Sequence, residues 1–193
     1  RRNWIFQQFL TLFNDLTDTD YYLDIKSDAV ILKPFQVFDK DGNPNLFVSR
    51  SEGYKEYYWN FSKKMIGLDQ EQADYSFICD IMMFSKKKIK EMMNLAKLNS
   101  ADEFIEKSIE IIDEESRVWL SEYELYGNYV FKEHSDLYKV KKIKRKILGF
   151  EDKAWGNEDI YFAMGRSLFE GHEMVAMNSW TTEKSEPVVG GEE

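Results

Sequence analysis

Tyr21-Tyr22-Leu23-Asp24-Ile25-Lys26-Ser27-Asp28-Ala29-Val30-Ile31-Leu32 is the stretch on which the fold class turns. Tyr21-Tyr22-Leu23 and Ala29-Val30-Ile31-Leu32 are short β-prone runs, and Pro34 limits continuation of the second. An acidic loop between two strands is therefore predicted. Upstream, Trp4, Phe6, Phe9, Leu10, Phe13 and Leu16 recur mostly every three or four residues, so residues 3–16 read as an amphipathic helix. Downstream, Asp39-Lys40-Asp41-Gly42-Asn43-Pro44 is a dense turn signal before a strand at Leu46-Phe47-Val48. Residues 51–66 are aromatic and polar with no clean period.

Tyr75 to Phe84 reads as a buried strand and its exit, and Lys86–Leu98 and Asp102–Ile112 read as helices. The second of these has Ser100 as N-cap and Glu103 at the capping-box spacing. A short helix is expected to start near Ser121 and end at Gly127. Residues 137–150 alternate like a strand before turning basic, Trp155–Phe169 looks helical, and Met174–Trp180 reads as a last strand. Strands alternating with helices argue for an α/β layer architecture. Residues 1–180 are expected to form one α/β domain, and 181–193, with Ser, Pro, paired Gly and acids, a flexible tail or linker.

Composition narrows the function. The 193 residues carry 26 Lys+Arg and 35 Asp+Glu, a net charge of −9, which disfavours long-range attraction to nucleic acid. A single cysteine, Cys79, rules out an internal disulfide and makes the cytoplasm the expected location. No apolar run approaches the roughly 18 residues that span a bilayer. Six cations between Lys139 and Lys146 form either a solvated face or a peripheral contact with an anionic membrane on its cytoplasmic side.

The excess of acids raises metal binding. Asp24 and Asp28 flank a loop at the end of a strand, where open α/β sheets place ligands. Two carboxylates there either hold Mg²⁺ or Mn²⁺ or cap a turn.

Trp4-Ile5-Phe6-Gln7-Gln8-Phe9-Leu10, Asp20-Tyr21-Tyr22-Leu23 through Lys33-Pro34-Phe35, Asp41-Gly42-Asn43-Pro44, Ser76-Phe77-Ile78 and Ser121-Glu122-Tyr123-Glu124-Leu125-Tyr126-Gly127-Asn128 together carry a resemblance. The chain resembles, from about residue 3 to 180, a family of glycosyltransferase-like proteins of bacteria and large viruses. Their similarity to nucleotide-sugar transferases implies a GT-A-like mixed sheet flanked by helices. It also implies a nucleotide-sugar donor, a glycan or lipid-linked acceptor and a divalent metal on the donor diphosphate, as in polysaccharide biosynthesis. Only 23 residues precede Asp24, so part of the N-terminal nucleotide-binding half is expected to be lacking.

The Asp-x-Asp loop of such enzymes reads here Lys26-Ser27-Asp28, with Lys26 in place of the first acid. Asp28 then becomes the direct metal ligand, and Asp24 supplies the lost carboxylate or Lys26 itself binds the diphosphate. Loss of activity is the third alternative. An inverting transferase needs a base at the acceptor hydroxyl. Glu122 is preferred by resemblance. Glu124 shares its segment but, on a helix, diverges from it by about 200°.

Trp155-Gly156-Asn157-Glu158-Asp159 resembles the acceptor-binding segment of galactosyltransferase-type enzymes, which makes Trp155 and Glu158 substrate-binding candidates and Asp159 the second choice of base. His172 is a candidate metal ligand by its late position, and Asp80, after a strand, is expected to point into the cleft. Tyr57, Tyr58, Trp59, Tyr126 and Trp180 are candidate platforms for sugar rings, or core. Outside catalysis, the same residues fit a degenerate carbohydrate-binding or interaction module, and less well a metal-dependent hydrolase.

Overall fold

The computed structural model describes residues 2–50, 55–69, 75–113, 115, 117–149 and 157–178. It is a mixed α/β structure. In chain order the elements are α1 (Arg2–Leu12), β1 (Tyr21–Ile25), β2 (Ala29–Ile31), β3 (Asn45–Arg50), α2 (Lys55–Ile66), β4 (Tyr75–Ser76) and β5 (Ile81–Ser85). They continue as α3 (Lys86–Leu95), α4 (Ala101–Ile111), α5 (Glu122–Glu133), β6 (Lys139–Lys142), β7 (Arg145–Gly149), α6 (Asn157–Phe169) and β8 (Met174–Asn178). The described residues fall into two compact units, one made of the chain up to Lys26 with Gln36–Ile143, the other of Ser27–Phe35 with the residues from Lys144 onward.

In the first unit β1 pairs antiparallel with β5, Tyr21 opposite Ser85 and Ile25 opposite Ile81. β3 is the middle of a second sheet, antiparallel to β4 and parallel to β6. Every residue of β5 is buried, which is why its sequence is a continuous apolar run rather than an alternation. Cys79, just before it, is fully buried and donates its thiol to the Ile81 carbonyl. Helices α1 to α5 close the core around Phe61, Phe77, Phe84, Phe104, Tyr123 and Tyr126.

The α1 stripe needs correction. The helix stops at Leu12 rather than Leu16, and its buried side carries Gln8, Phe9, Thr11 and Leu12 while Phe6 and Leu10 are exposed. The Gln8 side-chain oxygen accepts from α5, and Tyr22 donates its hydroxyl to the backbone carbonyls of Thr11 and Leu12 at the helix end. Residues 55–66, which showed no period, form α2, burying Phe61, Ser62 and Met65. Its aromatic run Tyr57-Tyr58-Trp59 is half-buried on several sides of the helix and hides the stripe.

Helix α5 does not end at Gly127 but runs through it to Glu133. A Cβ at Gly127 would overlap the Phe77 ring, so glycine is there for close approach of helix to strand exit, not to stop the helix. Ser121 caps α5 by accepting from Glu124 N–H, and Ser100 caps α4 by accepting from Glu103 N–H. The Glu103 carboxylate reaches back to Asn99 N–H, one residue before the cap.

In the second unit β8 is central, antiparallel to β2 and parallel to β7, with Met174, Val175 and Ala176 fully buried, and α6 follows β7 in the chain. The basic run is divided between the units. Lys139 is ion-paired to Asp39 and Asp41, Lys141 donates to the Gln36 carbonyl, and in the second unit Lys144 donates to the Glu170 carbonyl. Among the described residues, no helix is long and apolar enough to cross a membrane. Trp155, Trp180 and the tail 181–193 lie outside the described residues.

Candidate functional site

Three segments distant in sequence meet at the N-terminus of α5. Glu122, its first residue, is almost fully buried, and its carboxylate Oε1 accepts from Lys26 Nζ at 2.6 Å. Lys26 follows directly on β1, and its ammonium also lies 3.4 Å from Asp24 Oδ2 and 4.6 Å from the centre of the Tyr123 ring. Tyr123 donates its hydroxyl to the same Asp24 oxygen at 2.5 Å. From α1, Gln8 Oε1 accepts from the Glu122 N–H at 3.1 Å, satisfying one of the donors that a helix start leaves open.

The Lys26 backbone is pinned as well, its N–H donating to the Asp80 carbonyl at 3.0 Å. Asp80 reaches that position with φ of 62°, in the left-handed region that a non-glycine residue seldom adopts. Asp80 thus holds Lys26 through its backbone carbonyl.

The electrostatics follow from burial and charge. Burial pushes the Glu122 carboxyl above its ordinary value, and the charge and hydrogen bond of Lys26 only partly pull it back. Burial works against the Lys26 ammonium, but Glu122 and Asp24 outweigh it and its pKa is raised. Burial, reinforced by the Asp24 charge, raises the Tyr123 hydroxyl far above its ordinary value, so it stays a neutral donor.

Glu124, one residue beyond Tyr123, turns to a different place. Its Oε1 accepts from Ser76 Oγ at 2.5 Å and Phe77 N–H at 3.0 Å, and its Oε2 from Asn128 Nδ2 at 2.8 Å. These three donors make it a fastener between α5 and the β4 exit. Tyr126 is fully buried, its hydroxyl accepting from Ser85 N–H and sharing a hydrogen bond with Tyr138, so it offers no face to a sugar. Tyr57 and Tyr58 pack their rings on Trp119.

The remaining candidates belong to the second unit. Asp28 is half-buried and its carbonyl accepts from Met177 N–H. His172 Nδ1 lies 3.0 Å from the Ser167 carbonyl and 3.7 Å from the Glu170 carboxylate, and Glu158 and Asp159 are exposed in the first turn of α6. The site of the first unit thus assembles Asp24, Lys26, Asp80 and Glu122 of the residues singled out in the sequence.

It also includes two that were not singled out. Gln8 and Tyr123 were visible only as members of the motifs Gln7-Gln8 and Ser-Glu-Tyr-Glu, and a polar Gln8 on the core side of an apolar helix is the signal that identifies the first.

A divalent ion does not fit this site beside the Lys26 ammonium. Asp24 and Glu122, the two carboxylates brought together, already share one ammonium. Among the described residues no group of three or more His, Cys, Asp or Glu is arranged to hold a metal.

The model of a family of unknown function, DUF6492, matches residues 1–185. The chain belongs to the DUF6492 family. No curated protein matches it. The match to DUF6492 spans both segments that meet at the Lys26–Glu122 pair.

Proposed function

We propose that this DUF6492 member is a glycosyltransferase of GT-A-like type, moving a sugar from a nucleotide-sugar donor to a hydroxyl of a glycan or lipid-linked acceptor. One observation carries the reading. The two segments that most resemble nucleotide-sugar transferases, the loop after β1 and Ser-Glu-Tyr-Glu at α5, join through the 2.6 Å contact of Lys26 with Glu122. In this reaction the acceptor oxygen forms a bond to the anomeric carbon as the bond to the leaving diphosphate breaks, and Glu122 takes the hydroxyl proton. A buried carboxylate of raised pKa suits that task, because its proton affinity is closer to that of the group it deprotonates. Lys26 keeps Glu122 ionised and aimed, while Tyr123 and Gln8 hold the carboxylate partner Asp24 and the Glu122 backbone in register.

The test is a transfer assay across nucleotide sugars with the full chain and its Glu122→Gln variant. Loss of about 10²–10⁴-fold in turnover is expected, with the circular dichroism spectrum and donor affinity retained. Full activity of the variant would remove Glu122 from the chemistry.

A second reading, a carbohydrate-binding module without turnover, is favoured by the same ion pair, since it engages the base. Glycan binding that survives chelation, with no turnover of any nucleotide sugar, would decide for it.

A further inference from the structure

We infer that Lys26 is the resident cation of this site, standing between Asp24 and Glu122 where a divalent ion would otherwise be held, and that the site binds no metal. The inference deepens the proposed function without depending on turnover.

Three observations carry it. The ammonium is held on several sides: it lies 2.6 Å from Glu122 and 3.4 Å from Asp24, it sits over the Tyr123 ring, and the Lys26 N–H is held by the Asp80 carbonyl. Mg²⁺ and Mn²⁺ are often held through one or two carboxylates, with water and substrate oxygens completing the shell. The two acids in reach would suffice for such an ion by themselves, but a dication placed among them would face the ammonium at close range.

The third observation is the orphaned group at the site. Gln8 is almost fully buried, and its Nε2 has no hydrogen-bond partner. Its amide cannot be turned over to supply an oxygen, because Oε1 is the acceptor of the Glu122 N–H. The unused hydrogen-bonding capacity beside Glu122 is thus a donor, which suits an oxygen of a bound hydroxyl or of water and repels a metal ion. A neutral hydroxyl also suits a cluster of two carboxylates and one ammonium better than a second anion does.

The experiment is a Mn²⁺ titration of the full chain, read by the electron paramagnetic resonance signal of free Mn²⁺ and by the thermal midpoint with and without chelator. For the wild type, no Mn²⁺ bound at this site and a midpoint indifferent to chelator are expected. Binding of one Mn²⁺ that is lost in Asp24→Asn or Glu122→Gln would overturn the inference. Lys26→Ala is expected to gain one bound Mn²⁺, displaced by excess Mg²⁺ and lost in Lys26→Ala combined with Glu122→Gln, whereas Lys26→Arg behaves as wild type.

A folded Lys26→Ala that gains no Mn²⁺ would also count against it. If Lys26→Ala folds only with Mn²⁺ present, the metal has replaced the ammonium and the inference stands. If it folds in neither condition, the wild-type titration decides. A chain that transfers sugar only with Mn²⁺ held by Asp24 and Glu122 would keep the proposed function and remove this inference. A Mn²⁺-silent chain without turnover would do the reverse.

Discussion

Glu122 and Glu124 leave the first turn of α5 toward different partners, one a buried ammonium and the other three neutral donors. Their roles separate accordingly. Replacing Glu124 by Ala strands the Ser76 hydroxyl and the Phe77 N–H in the interior, while the Asn128 amide keeps its bond to the residue-124 carbonyl, and a loss of about 3 kcal/mol is expected in denaturant unfolding. Under the proposed function, sugar transfer by the surviving folded fraction is expected to persist, whereas Glu122→Gln is expected to lose it.

Glu122 also sets a pH dependence. Because burial raises its pKa, the acid limb of the turnover profile is expected above the ordinary glutamate value of about 4.3. Lys26 acts in the opposite direction on the same group, so Lys26→Met should move that limb to higher pH. A limb that stays in place in a pH–rate series would separate Lys26 from the base.

At the level of elements, the close approach of α5 to Phe77 is the contact most sensitive to one atom. Gly127→Ala places a methyl group into the Phe77 ring, and about 1–3 kcal/mol of destabilisation is expected, partly relieved in a Gly127→Ala, Phe77→Leu double variant. Thermal melts of the four chains of that cycle measure the coupling.

Helices α3 and α4 were readable in advance because their buried positions recur with helical spacing, and α4 also because Ser100 caps its start. Helix α2 was not, since its half-buried aromatic residues blur any single apolar face. The extent of α5 was misread because glycine marks both a helix stop and a place of close packing, and only the neighbour across the contact tells which.

On the scale of the whole molecule, charge governs stability at low pH. Asp39, Asp69, Glu91 and Glu170 are each held below the ordinary carboxylate range by a hydrogen-bonded cation, from Lys139, Lys63, Lys88 and Arg166 respectively. A depressed folded pKa contributes stability above the unfolded value and loses it as pH falls through the folded one. The thermal midpoint is therefore expected to fall as pH drops below about 4, and added salt should flatten the part of the fall that comes from the exposed Lys63–Asp69 and Arg166–Glu170 pairs. Glu122 opposes the trend, since its raised pKa favours the folded state while it is protonated.

The amino-acid order by itself determined the α/β class, the strands at Tyr21–Leu23 and Ala29–Ile31, the serine cap at Ser100 and the buried character of Ile81–Phe84, because each depends on local spacing and on how apolar a short run is. Only the tertiary structure decided which charges meet. Lys26 and Glu122 are 96 residues apart, and Gln8 is 114 from Glu122. Their contacts arise because β1, α1 and the start of α5 converge on one core, and no local pattern encodes a distance across it. The same convergence puts Asp24 beside an ammonium. Burial then makes that ion pair the defining feature of the site, since charges withdrawn from water must find one another.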